Sequence, residues 1–332
     1  MKIRTLVLLL SVVGLVALMG CEPPKSKSAA PESVERLTLG SYMGDLSALI
    51  WIAEDQGYFA EHGLKIDVEF SESGLQAAKN LLEGKVDLAT ASEIVAARFF
   101  FERPDLRIIT NLCESDNLKL VARKDHGITQ LEDLKHKRIG VLCGSNAEFF
   151  LDLLMALHNI PSKEVQKVDL SPSRLVKAIS KGDVDAGAVW EPFAMEATNN
   201  LGTNALSWPA QSGQSYYWLL LGTENTIKRR SRAVQAFVSS MISAEEFVKN
   251  HQDEAKGIVA RKSGSSHHIE IVWKEIQFAV GLDHPLILTM ETELRWMFPD
   301  LQTKQSDIPD ILNFIYFDAL RSVQPERIKI LH

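Results

Sequence analysis

Cysteine is scarce in this chain. Only Cys21, Cys113 and Cys143 occur, and no two form a Cys-x-x-Cys pair. Positive charge is in deficit, 36 Lys and Arg against 43 Asp and Glu, so nucleic-acid binding has no support. There is no Walker loop, no Gly-x-Gly-x-x-Gly and no Gly-x-Ser-x-Gly. A hydrolase needs a nucleophile beside an oriented base, and no spacing here supplies one. His267-His268 is the only histidine cluster, and adjacent helical residues point apart, so a shared metal is not expected. No catalytic residue, no metal ligand and no cofactor can be nominated.

Long apolar runs are missing as well, with one exception at the start. After Lys2 and Arg4 the chain is apolar from about Thr5 to Gly20, too short to span a bilayer comfortably. The run ends Leu18-Met19-Gly20-Cys21, which resembles the lipobox of bacterial lipoproteins. That resemblance implies a leader over residues 1–20 and lipid attachment at Cys21. Glu22 leaves open which membrane holds the anchor. Residues 21–35, rich in Pro, Ser, Lys and Ala, read as a flexible tether. Cys113 and Cys143 then remain, each near a strand end, and are expected as free thiols in different lobes, although spacing alone does not decide whether they pair.

What the chain does contain is a repeated strand–helix grammar. Lys181-Gly182-Asp183-Val184-Asp185-Ala186-Gly187-Ala188-Val189-Trp190-Glu191-Pro192 reads as a helix stop, a buried inner strand and an exit carrying an aromatic ring and a carboxylate. Gly84-Lys85-Val86-Asp87 opens a strand the same way 98 residues earlier, and the helix starts at Ser73 and Ser171 keep that offset. Ser73 with Gln76 and Ser145 with Glu148 have the spacing of capping boxes, and Ser171-Pro172 puts Pro in a first turn. Asp45 is expected to cap a helix over Leu46–Gln56. Strands are predicted at Leu37–Gly40, Leu64–Phe70, Val86–Ala91, Arg107–Leu112, Leu118–Arg123, Arg138–Leu142, Val165–Leu170 and Tyr216–Gly222. The tail is predicted helical over Arg229–Asn250, His267–Ala279 and Asp307–Arg321. Short strands alternating with helices indicate α/β architecture with mostly parallel sheets. The expected organisation is lobe one over 36–122, lobe two over 123–215, and a return to lobe one over 216–332.

In open α/β sheets, ligands bind beyond the carboxyl ends of the strands. The loops there carry Ser41, Tyr42, Ser73, Gly74, Ser92, Glu93, Asn117, Gly144, Ser145, Asn146, Trp190 and Glu191, which are the candidate ligand-binding residues. Helix N-termini favour an anionic or polar ligand group. Against a bare dianion stand Glu72, Glu93, Glu114, Asp116 and Glu191 in the same loops. A zwitterion, or a heterocycle with N–H donors stacked on Tyr42 or Trp190, fits that charge better.

Five pieces in order resemble the ABC-importer solute-binding family for nitrate, sulfonates, taurine and thiamine-pyrimidine precursors. They are Leu39-Gly40-Ser41-Tyr42; Ala53-Glu54-Asp55-Gln56-Gly57-Tyr58-Phe59 with His62-Gly63-Leu64; Gly84-Lys85-Val86-Asp87; Leu131-Glu132-Asp133-Leu134; and Val184-Asp185-Ala186 through Pro192. The resemblance implies a type II periplasmic-binding-protein fold, two α/β lobes that close over a small-molecule solute. It implies a monomer outside the cytoplasm, anchored to a membrane by lipid and working with ABC permease and ATPase subunits. Where many relatives have a polar residue and Pro after the third strand, this chain has Ser92-Glu93-Ile94, so ligand identity does not carry over. A ligand-sensing subunit of an envelope signalling system is the alternative function, and an enzyme on the same fold is a third.

Overall fold

A computed structural model describes residues 34–298 and 308–331. The leader, Cys21 and all but the last two residues of the tether lie outside the described residues, as does Asp307. Glu35, the final tether residue, is already the first residue of a strand.

The strands are β1 (Glu35–Tyr42), β2 (Leu64–Ser71), β3 (Leu88–Ser92), β4 (Leu106–Ser115), β5 (Leu118–Arg123), β6 (Arg138–Val141), β7 (Gln166–Asp169), β8 (Ala186–Trp190), β9 (Ala205–Pro209), β10 (Tyr216–Thr223), β11 (Ile276–Asp283) and β12 (Ile328–Lys329). The helices are α1 (Ala48–Asp55), α2 (Tyr58–Glu61), α3 (Gly74–Leu82), α4 (Glu93–Phe99), α5 (Asn146–Leu157), α6 (Pro172–Lys181) and α7 (Phe193–Leu201). They continue as α8 (Glu224–Arg229), α9 (Ser231–Asn250), α10 (Gln252–Ser263), α11 (Ser266–Val272), α12 (His284–Met297) and α13 (Asp318–Val323).

Two sheets result, ordered β12-β11-β4-β10-β3-β1-β2 and β7-β6-β8-β5-β9. Each has a parallel three-strand run at one edge, β2-β1-β3 and β7-β6-β8, continued on its inner side by antiparallel pairings. The expectation of mostly parallel sheets is corrected at β10 and β5, each the first strand after a crossover, which run opposite to both neighbours and so pair antiparallel with β3 and β4 and with β8 and β9. The lobe boundary moves too. β5 is bonded to β8 and β9, so the first crossover is Asp116-Asn117, not the position after Ala122.

The 98-residue offset has a physical cause. Asp87 accepts the Thr38 N–H at 2.9 Å, and Asp185 accepts the Arg138 N–H at 2.8 Å. Each aspartate therefore fastens the start of its own strand to the start of the neighbouring parallel strand. At Asp185 burial raises the carboxyl, but the Arg138 guanidinium and N–H together with His126 outweigh it and hold the group well below the usual range.

The tail departs from the helical expectation. Residues 276–283 form β11 against β4, because Ile276, Val280 and Leu282 are buried there while Gln277 is exposed. A helix not anticipated, α12, follows it, with Asp283 accepting the Leu286 N–H as its cap. The end of the chain carries a short 3-10 turn at Ile311–Phe314 and then α13 in place of one helix. Cys113 and Cys143 are both free thiols.

Candidate functional site

The two sheets meet through two crossovers, and Gln211 ties these together. Its carboxamide accepts the Leu118 N–H at 2.9 Å and donates to the carbonyl of Ser115 at 2.8 Å. Against this junction lies a cavity walled by Tyr42 and Leu46 after β1, Ser73, Gly74 and Leu75 at the start of α3, and Ser92 and Val95 at the start of α4. The second lobe contributes Ser145, Asn146 and Trp190, and β10 contributes Tyr216 and Trp218. Seven predicted site residues are thus brought together: Tyr42, Ser73, Gly74, Ser92, Ser145, Asn146 and Trp190.

The local reasons are simple. Ser73 caps α3 by accepting the Gln76 N–H at 3.2 Å, and Ser145 caps α5 by accepting from Ala147 at 3.2 Å. Neither capping box closes: Gln76 turns to Asn80, and Glu148 accepts the Gly144 N–H instead. The aromatic walls meet edge to face, with ring centroids of Tyr42 and Trp190 6.3 Å apart and of Tyr42 and Trp218 6.1 Å apart. The Tyr42 hydroxyl donates to the carbonyl of Glu191 at 2.8 Å, joining the lobes.

Five predicted residues stand behind the wall. The Ser41 hydroxyl is taken up by Ser47 and Thr90, each at 2.8 Å. Gly144 has φ +78°, and a Cβ there would sit 3.0 Å from the Arg98 guanidinium of lobe one. Asn117 donates to Asp45 at 3.2 Å and accepts from the Tyr216 hydroxyl at 2.8 Å. The Glu191 carboxylate caps α7, accepting the Met195 N–H at 2.9 Å, and burial raises it. Glu93 turns away to lie against Glu293 of α12. Burial pushes Glu93 up to about 8 and raises Glu293 too, so the pair holds at least one proton at neutral pH.

The expected acidic crevice is therefore corrected. None of the residues that wall the cavity carries a charge. Glu72 instead reaches across to the Ser173 hydroxyl at 3.0 Å, and Asp116 accepts from Ser215 at 3.0 Å within the crossovers. Asp45 is the other correction. Its side chain does not cap a helix but lies buried, bonded to Asn117, and burial pushes it up to about 7.

Sequence reasoning missed Leu46, Leu75, Val95, Tyr216 and Trp218. A signal existed for the last two. A strand antiparallel to the parallel set brings its first residues to the carboxyl ends of its neighbours, and Tyr216 and Trp218, two apart, share a face. The space left in the cavity is about 10 Å³, room for roughly one water molecule. Small-molecule pockets run to about 300–1,000 Å³, so admitting a solute requires these walls to part.

The comparisons with known proteins agree with this architecture. YtlA of Bacillus subtilis (strain 168), named as a binding protein, is 23% identical over 210 residues, 61% of this chain. The match spans 63% of that relative's own length. A second Bacillus subtilis protein, named as an aliphatic-sulfonate binder, is 26% identical over 267 residues, 76% of each chain. The alkanesulfonate-binding protein of Xanthomonas axonopodis pv. citri, solved bound to MOPS, superposes with a TM-score of 0.71 at 18% identity, covering 86% of this chain and 99% of that one. The fold is that of the periplasmic binding proteins, two sheets flanked by helices. The family described as NMT1/THI5 like matches residues 47–255, well over half of the sequence, and the chain belongs to that family.

Proposed function

We propose that the chain is the solute-binding receptor of an ABC importer. It captures a small polar organic solute between its lobes and delivers it to a membrane permease that works with ATPase subunits. A lipid on Cys21 holds it to a membrane, facing the periplasm or the exterior. The observation that carries the reading is the interlobe cavity, walled by aromatic rings from both lobes, fed by the starts of α3 and α5 and free of charged walls.

That chemistry favours a planar nitrogen heterocycle of the thiamine-pyrimidine type over a simple sulfonate, taurine or nitrate. Burying an anion without a cation or a full set of donors is strongly unfavourable, whereas rings packed edge to face suit an aromatic solute. The receptor reading is also favoured over an enzymatic one, since the cavity wall offers no His, Lys, Cys, Asp or Glu to act as a base.

Thermal unfolding of the full-length protein in detergent across taurine, alkanesulfonates, nitrate and hydroxymethylpyrimidine tests this. A ligand at a hundred times its Kd stabilises by about 2.7 kcal/mol, a shift of several degrees at this size. The expected result is a shift with the pyrimidine; no shift with any solute contradicts the receptor reading.

A further inference from the structure

Three of the cavity's hydroxyls are already committed within the protein. The Tyr42 hydroxyl is committed to Glu191, that of Tyr216 to Asn117, and that of Ser145 to the Leu142 carbonyl. The indole N–H of Trp218 is buried and has no partner among the described residues. An indole is a donor only, and leaving a buried donor unpaired is unfavourable.

The ring that carries this donor is fixed in place. β10 is bonded on both sides, with Trp218 opposite Ser92 of β3 and Cys113 of β4. Gly74 makes room for it: a Cβ at that position would lie 2.6 Å from the ring. Tyr42 meets it edge to face. Trp218 lines the cavity, and a donor held this firmly and unpaired is preorganised for an acceptor that arrives with the solute.

We infer that Trp218 is a specificity-determining residue whose indole N–H binds an acceptor, a ring nitrogen or carbonyl oxygen, on an uncharged planar heterocycle packed against Tyr42 and Trp190. This assignment rests on the receptor reading and narrows it. The acceptor belongs to an uncharged group because the wall carries no cation to compensate an anion.

The test is calorimetric titration of the full-length protein with 4-amino-5-hydroxymethyl-2-methylpyrimidine and with benzyl alcohol, which has the ring and hydroxymethyl but no ring acceptor. Trp218→Phe keeps the aromatic ring and removes the donor. The variant is expected to bind the pyrimidine about 10-fold more weakly while its affinity for benzyl alcohol stays within about 2-fold of wild type. Unchanged pyrimidine affinity overturns the role of Trp218 and leaves the receptor intact. An equal loss for both probes marks a structural role and also overturns it. Binding of taurine or nitrate alone overturns the heterocycle, again without touching the receptor. Silence with every probe, these anions included, removes the receptor reading and the assignment together. Should the variant not fold, nitrogen-15 spectra of the wild type decide. The pyrimidine is expected to move a slowly exchanging indole N–H downfield and benzyl alcohol is not; no such movement overturns the assignment.

Discussion

The Tyr42 hydroxyl and the Glu191 carbonyl oxygen are 2.8 Å apart, a hydrogen bond that runs from the end of β1 in one sheet to the exit of β8 in the other. It is buried, and the same tyrosine ring packs edge to face on Trp190. The hydrogen bond between the two sheets and the aromatic wall therefore share one residue, Tyr42.

Tyr42→Phe keeps the ring and removes this link. A neutral intramolecular hydrogen bond contributes about 0.5–1.5 kcal/mol net, so solute affinity should fall roughly 3- to 10-fold by titration. The unfolding temperature should change by only a few degrees. An unchanged affinity would mean that the bond plays no part in closure.

Asp45 and Glu93 give the protein a pH dependence with a definite sign. Each has a folded carboxyl raised by burial, from 3.8 to about 7 at Asp45 and from 4.5 to about 8 at Glu93. Stability from these groups is fully present below about pH 4 and is lost as pH rises towards 7–8. Asp45→Asn and Glu93→Gln should therefore raise the unfolding temperature at pH 8 and bring little gain at pH 4. Equal effects at both values would show that neither carboxyl changes ionisation on folding.

Gly74 faces the opposite problem, since any side chain there collides. An added Cβ would lie 2.6 Å from the Trp218 ring and 2.8 Å from the Ala91 Cα. Overpacking of this kind costs about 1–3 kcal/mol. Gly74→Ala should lower the unfolding temperature by several degrees and weaken solute binding by moving Trp218; a neutral result in both would place Trp218 elsewhere in solution.

Asp185 holds together the start of β8, the start of β6 and His126, through bonds of 2.7–3.0 Å. Asp185→Ala strands those donors and should destabilise the protein by about 2–3 kcal/mol. Because its carboxyl is held low in the fold, the contribution is present above about pH 4 and is lost as pH falls further. Denaturant midpoints of wild type and variant should therefore converge in acid.

Much of this was legible in the residues. Val86-Asp87 and Val184-Asp185 marked the inner strands because an aspartate at that point bonds the backbone of the parallel neighbour. Ser73 and Ser145 marked helix starts because their oxygens accept the free N–H groups there. The direction of a side chain after a strand end was not legible. Glu93 follows a cavity residue yet turns to Glu293, 200 positions later, a contact set by α12, which no local pattern announced. Asp45 had the spacing of a cap and is used as a buried partner of Asn117. Trp218 read as one more apolar residue in a strand, and only the antiparallel placement of β10 brings it to the cavity.

The most direct measurement is the distance between the lobes with and without solute. Met43 in lobe one and Leu157 in lobe two are both 58% exposed, so dyes at these positions would leave the cavity intact. Energy transfer between dyes on a Met43→Cys, Leu157→Cys variant that also carries Cys143→Ser, to remove the half-buried native thiol, would be followed while hydroxymethylpyrimidine, taurine, an alkanesulfonate or nitrate is added. A receptor that closes on its solute predicts a saturable change in transfer with at least one of them, strongest with the pyrimidine. A distance that stays constant with every solute would contradict it.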